Sequence, residues 1–381
     1  MTDIVAQPAE NSPDEILAAT RGRHLVIGEV VGLYVLSIAA ALVLAGLLVA
    51  VTGGSAADVF NALLDGSVRN PGRWGLTLGA AAPLLLVALG TIVNSRAGLV
   101  NIGQEGQLLI GAAFATYVGV RLPGPGPIVV VALCGAGIIG GALWAGIAGG
   151  LRYWRGVPEV LSTLLMVIIA AQAVGYGLKN EGLLLSAAGN RANRNQVSEQ
   201  LASDTRIPRL TWFGNEFPTT VFLAIALAAL VAFALARTIP GFRLRMLGQN
   251  PRTAQRAGVG ATRYGMGSML ISGGFAGLAG ATMLAGGDFG NYQLVPGFST
   301  NIGWTGLLVA LVARERAVAA IAVAFTFAGL RTGSGFLAAT GVERKITDVV
   351  QALLVLALLI PPAVLYIRER RRALNAAKER V

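Results

Sequence analysis

Cysteine and histidine are almost missing from this chain: among 381 residues there is one of each. A lone Cys134 excludes an intrachain disulfide and a cysteine-built metal cage, and in its apolar, Gly/Ala-rich surroundings it reads as a small packing residue. His24 precedes the first apolar run, which leaves no histidine at membrane depth for a Ser-His dyad or a zinc site. No Gly-Lys dipeptide occurs either, so a phosphate-binding loop of the Walker type is absent and the chain cannot hydrolyse ATP by that route. Charge is also scarce, at 13% of residues against roughly a quarter in soluble domains. These absences argue against an enzyme and against a cofactor bound by this chain.

Apolar residues are abundant, at 54%, and the mean hydropathy is +0.66. They recur in runs long enough to cross a hydrocarbon core, and 51 glycines suit helices whose backbones approach closely. The expected fold is all-α, a polytopic membrane bundle of about ten transmembrane helices without a soluble domain. The runs place helices near 26–51, 74–94, 98–119, 127–150, 158–178, 218–238, 263–286, 299–313, 316–331 and 346–367. Arg21, Arg23 and His24 ahead of an apolar run imitate a secretory leader. From Leu25 to Val51, however, only Glu29 is charged, so the run is too long for a leader and is expected to remain as the first span. Residues 1–25 form a polar tail, 26–367 the transmembrane domain and 368–381 a basic tail.

A net charge of +11 in a soluble protein would point to nucleic acid, but here the basic residues lie between the apolar runs. Their excess on one set of loops predicts, by the positive-inside rule, cytoplasmic N- and C-termini and an external loop over 179–217. That loop clusters Asn190, Arg191, Asn193, Arg194, Asn195 and Gln196, as a partner surface or a solvated connector. Between Arg237 and Arg263 stand six arginines and no acid. Within this stretch Asn250 as N-cap, Pro251 as first helical residue and Gly258 as C-terminal stop outline a short helix. Such a capped segment is either a rigid cytoplasmic knob for a partner, within 239–262, or an amphipathic helix on anionic lipid. Arg368, Arg370, Arg371 and Arg372 suggest a lipid-surface anchor.

An ionisable side chain at membrane depth costs about 2.5–3.5 kcal/mol on insertion scales, so each asks for a reason. Asn101, Gln104 and Glu105 fall within about 100° of helical arc, with Gln107 about 60° beyond. This polar stripe either lines a translocation pathway or hydrogen-bonds the bundle together. Its opening, Asn101-Ile102-Gly103-Gln104-Glu105-Gly106, recurs in outline as Asn301-Ile302-Gly303-Trp304-Thr305-Gly306, as an inverted repeat would require, although chance is an alternative in so glycine-rich a chain. Glu159, behind Pro158, fits a helix first turn where it complements the dipole, Asp288 fits turn chemistry, and Arg331 is placed to snorkel.

The chain resembles permease subunits of ATP-binding cassette importers in the branched-chain amino acid, simple sugar and nucleoside group, over about 75–365. The most specific stretch runs from Ser95 to Gln107 and is similar to the nucleoside and simple-sugar branch. Further similarity lies in Gly156 to Thr163, in Gly248 to Val259, and in Gly303 to Leu311. The resemblance implies a pair of permeases, here more in keeping with a heterodimer, two cytoplasmic ATPases that carry ATP and Mg, and an external solute-binding lipoprotein in a bacterial cytoplasmic membrane. It implies that Gly248, Asn250, Pro251, Ala254, Ala257 and Gly258 belong to a coupling helix. Val167, Glu315 and Ala317 depart from the family pattern, which bears on the substrate. An uncharged solute, most simply a nucleoside, suits a pathway of Asn101, Gln104, Glu105, Gln107, Asn301 and Trp304. The alternative is a proton-coupled secondary transporter using Glu105.

Overall fold

The computed structural model describes residues 33–368 apart from 187–195, 341–347 and some single positions, most of them near the ends. The two tails, and Asn190 to Asn195 of the polar cluster, therefore lie outside the described residues. Two compact units emerge, Ala57–Arg344, and Met1–Ala56 with Lys345–Val381. In the smaller unit the first span contains helix α1 (Ala39–Val51), and the described residues between 348 and 368 are helical.

The larger unit begins with α2 (Ala56–Leu64), which runs into a π-helical turn at Asp65–Arg69. There follow α3 (Arg73–Arg96), α4 (Gln104–Arg121), α5 (Gly126–Arg155) and α6 (Glu159–Gly177). Next come α7 (Thr220–Arg237), α8 (Ile239–Gln249), α9 (Pro251–Arg256), α10 (Ala261–Gly286), α11 (Ile302–Val312) and α12 (Ala317–Gly333). Among the described residues, α3, α5, α6, α7, α10 and the helix from Ala317 are long and apolar enough to cross a membrane. Helix α4 covers the third expected span only from Gln104, so Asn101 precedes the helix rather than sharing a helical stripe with Gln104 and Glu105, and the first turn carries Gln104, Glu105 and Gln107.

The eighth expected span is shorter than the sequence suggests. Helix α11 has 11 residues, a rise of about 16 Å, roughly half of a hydrocarbon core. The missing half is the irregular stretch from Gly287 to Asn301, which hydropathy alone assigns to an external loop up to residue 298. Irregular backbone at depth is tolerated where protein surrounds it, and Leu294, Phe298 and Ser299 are indeed buried.

Helices α3 and α10 form the centre, with 89% and 83% of their apolar windows buried. Around them α5, α6 and α7 turn leucines, isoleucines and phenylalanines outward, for instance Leu143, Leu165, Ile168, Phe222 and Phe233, and α12 exposes Val318. Aliphatic exteriors of this kind fit lipid rather than water. Glycine lets the inner backbones touch: a Cβ on Gly277 of α10 would lie 2.0 Å from the carbonyl oxygen of Gly137 on α5. Helix α3 packs on α10, α11 and α12, while α10 packs on α3, α4 and α5. The pattern is unchanged when α3, α4 and α5 are exchanged with α10, α11 and α12. Four spans, α4 to α7, lie between α3 and α10, so the two run in opposite directions, and the repeat expected from the Asn101 and Asn301 motifs is inverted.

The loop after α6 is more ordered than a connector. It holds an antiparallel hairpin, β1 (Arg209–Trp212) with β2 (Asn215–Pro218). Backbone N–H groups of Ser198, Leu201 and Ile207 donate to the carbonyls of Leu294, Tyr292 and Ala285. Neither the hairpin nor α2 is signalled by hydropathy, because both are short and of mixed polarity.

Candidate functional site

Two helices start inside the larger unit. Helix α4 follows an excursion of the chain at 97–103 from one end of the bundle, and α11 follows the excursion at 287–301 from the other. Helix N-termini carry unpaired N–H groups and a partial positive charge, so each buried start needs acceptors.

Glu105, 5% exposed, meets that need for α11. Its carboxylate accepts from the N–H of Asn301 at 3.1 Å and of Gly303 at 2.7 Å, and from the Ser299 hydroxyl. One helix's first turn thus caps the other's. A Cβ on Gly303 would come within 2.4 Å of the Glu105 backbone, so this approach requires glycine. The start of α4 is held from α6. Val100 N–H donates to Glu159 at 3.4 Å and Ile102 N–H to the Thr163 hydroxyl at 3.3 Å, while Asn101 Oδ1 accepts from Gly103 N–H at 3.0 Å. Glu159 also pairs with Arg152 of α5. It sits in the first turn of α6, as the sequence indicates, and in addition braces the 97–103 excursion; Pro158 stands one residue earlier than expected, as N-cap.

The other members of the polar stripe are likewise occupied. Asn101 Nδ2 donates to Gln107 Oε1 and to the Ser272 hydroxyl, both at 2.9 Å, and Gln107 Nε2 donates back to Asn101 at 3.0 Å. Gln104 donates to the Val87 carbonyl and to Ser272, each at 3.1 Å, and accepts from Thr91 at 2.7 Å. Asn101, Gln104, Glu105 and Gln107 are all buried within the chain. They tie α3, α4, α10 and α11 together. Asn301 is exposed and Trp304 half-buried, so these two of the six sequence candidates reach the surface. Thr91, Ser272 and Ser299 escaped the sequence reading, because single hydroxyls are common in apolar spans.

Thr300 and Asn301 precede α11 with φ of 44° and 64°, and a β-branched threonine in that region is strained. Arg331 of α12 holds Thr300 in place by donating to its carbonyl at 3.0 Å and to its hydroxyl. Arg331, read from sequence as placed to snorkel, is tied to this left-handed turn, which presents two acceptors to it. Beside the turn a cleft of about 480 Å³ opens, lined by Arg73, Asp288, Phe289, Phe298, Thr300 and Arg331. Asp288, read from sequence as a turn residue, is a half-buried anchor that accepts from Arg209 of β1 at 2.7 Å.

At the opposite end α8 and α9 form a compact knob. Thr238 caps α8, and Asn250 Oδ1 accepts from Thr253 N–H at 3.1 Å to cap α9; Gly258, with φ of 80°, follows its end. This is the capping pattern expected from the sequence. Ala254 is fully buried with Leu247 and Val259, against Met246, Ala261 and Tyr264. Asn250, Pro251, Ala257 and Gly258 are exposed, and half-buried Gly248 lies against the end of α3, where its Cβ would be 2.4 Å from the Arg96 carbonyl oxygen.

A profile of the family described as "Branched-chain amino acid transport system / permease component" matches residues 75–359. The chain belongs to this family. The guanosine ABC transporter permease protein NupP of Bacillus subtilis is 34% identical to this permease over 81% of the chain and 87% of its own length. The glucose ABC transporter permease protein TsgB13 of Haloferax volcanii is 30% identical over 86% and 87%. The nucleoside ABC transporter permease protein NupB of Lactococcus lactis is 27% identical over 84% and 87%. No solved structure matches. Of the permease's departures from the family pattern, Val167 packs beside Gly106. Glu315, at φ of 55°, lies at the knob end, where Arg96 donates to its carbonyl at 2.7 Å.

Proposed function

We propose that this chain is the membrane-spanning permease subunit of an ATP-driven importer for nucleosides, working beside a second permease. The observation that carries the reading is Asn301: an exposed amide at the start of a half-span, about 16 Å of helix from the knob end. A hydrogen-bonding group at that depth is poorly suited to lipid and well suited to a wet path or a facing subunit. Asn301 and Trp304 are assigned to contact the solute, and the cleft beside Thr300 to admit it. Asn101, Gln104, Glu105 and Gln107 position the two helix starts. The full-length similarity to guanosine and nucleoside permeases supports the substrate class. Similarity to both NupP and NupQ, two guanosine permeases of one organism, supports a heterodimer.

The knob is assigned to a cytoplasmic ABC ATPase, which holds ATP and Mg, and the end bearing the hairpin to an external solute-binding lipoprotein. We assign both termini, the 239–262 segment and the 368–381 tail to the cytoplasm of a bacterium, and 179–217 to the outside, as the positive-inside rule predicts. Arginines crowd the knob end, in agreement with the positive-inside rule. The occupied carboxylate of Glu105 weighs against proton coupling, since a proton carrier must release its partners each cycle.

The test is uptake in proteoliposomes. With its ATPase, second permease and binding protein, the chain should import guanosine only with ATP. Uptake by the lone chain under a proton gradient would replace this reading with a secondary transporter. Import of glucose in place of guanosine would transfer the solute assignment to sugars, a reading favoured by the similarity to TsgB13.

A further inference from the structure

Between α3, α7, α8 and α10, toward the knob end, runs an apolar groove of about 450 Å³. Its walls include Val93, Leu230, Leu235, Leu244, Ile271 and Phe275. Along α10 the groove extends from Arg263 to Phe275, a rise of about 18 Å, close to the roughly 15 Å hydrocarbon depth of one leaflet. Gly267 lies on the lining, and a Cβ built there would meet nothing within 4 Å. Room for a chain-shaped apolar guest is therefore present at this residue.

The mouth differs sharply from the walls. Arg263 and Tyr264 line it, and Arg243 donates to the Tyr264 hydroxyl at 3.1 Å. Both arginines are exposed, and neither belongs to an ion pair among the described residues. The stretch from Arg237 to Arg263 contains no acid that would neutralise them. Next to the mouth, α8 exposes Ile239 and Phe242, the apolar side chains expected of a helix seated at a membrane interface. An apolar slot one leaflet deep, closed at the interface by two unpaired cations, is complementary to one chemistry in particular.

We propose that the groove is a binding site for an anionic glycerophospholipid of the adjoining leaflet, with an acyl chain along α10 and the phosphate on Arg243 and Arg263. The site depends on the membrane-spanning fold alone and not on the transported solute. Its position has a consequence for coupling. The lipid would wedge between α7, which enters the knob, the knob's own α8 and α10, which leaves it, so that an occupied groove stiffens the base of the coupling segment.

The experiment is native mass spectrometry of the detergent-purified, delipidated full chain titrated with dioleoyl phosphatidylglycerol and, in parallel, dioleoyl phosphatidylcholine. The wild type should retain phosphatidylglycerol in preference, and Arg243→Gln with Arg263→Gln should remove that preference by about fivefold per arginine. Gly267→Leu, which fills the slot, should weaken both lipids together; Ile271→Trp, at a half-exposed wall position, is the second filling variant, and the melting temperature of each confirms folding. Equal retention of the two lipids by the wild type overturns the proposal. So does unchanged phosphatidylglycerol binding in both filling variants. Loss of chain dimerisation without loss of lipid would assign the groove to a second copy and overturn it as well.

Discussion

Glu105 is a charged residue whose cost is met by donors rather than by a counter-ion. Two backbone N–H groups and one hydroxyl converge on its carboxylate, and such charge-assisted bonds are stronger than neutral ones. Glu105→Ala would strand the N–H groups of Asn301 and Gly303, at about 1–3 kcal/mol each, and should lower the melting temperature of the purified chain markedly. Glu105→Gln keeps one acceptor and should lose less. If the residue is a cap, ATP-driven uptake by Glu105→Gln falls in step with folded protein; a complete loss of uptake in a fully folded variant would point back to proton chemistry. The neighbouring Thr300 follows the same logic at the level of backbone, since its left-handed conformation persists because Arg331 binds both its oxygens.

At the scale of the element, the knob shows why a six-residue helix can be rigid. Isolated helices this short do not hold, but α9 has a side-chain cap at one end, a left-handed glycine beyond the other and Ala254 inserted into its own small core. The same core joins the exposed face of α9 to α8 and α10. Ala254 and Ala257 separate the two tasks. Ala257→Glu, at an exposed position, should leave the fold intact and weaken ATPase coupling by at least about fivefold, the effect of about 1 kcal/mol at an interface. Ala254→Glu buries an unpaired charge and should make the knob sensitive to protease before any coupling is measured. Equal behaviour of the two variants, in protease sensitivity and in ATPase stimulation, would contradict this division.

Taken whole, the larger unit is a pair of inverted halves whose inner helices touch through glycine and whose outer helices face lipid. The two half-repeats meet at Glu105 and Gly303, so a relative tilt of the halves would act on the α11 start, where Asn301 is exposed. Rocking of such repeats is an established route to alternating access. Sidedness is the property on which this depends. A single cysteine introduced at Arg252, in a chain carrying Cys134→Ala, should react with a membrane-impermeant maleimide only in inside-out vesicles. Labelling in intact cells would place the knob outside and remove its assignment to an ATPase.

The chain's solvent, its helical class and its helix-closing residues follow from sequence alone. Apolar runs, Asn250, Pro251 and Gly258 act through local physics, and local physics does not wait for the fold. The polar character of the helix starts was equally legible in Asn101, Gln104 and Glu105, but not their role. Whether a buried amide faces a solute or another helix depends on what lies opposite, here Ser272, Thr91 and Val87 from distant parts of the chain. The same holds for which spans are central. Helices α3 and α7 are both uniformly apolar, yet 89% of the first window is buried and 28% of the second. Lipid tails and protein interiors are equally apolar, so hydropathy cannot separate them, and only the packing of small residues decides which helix goes inside.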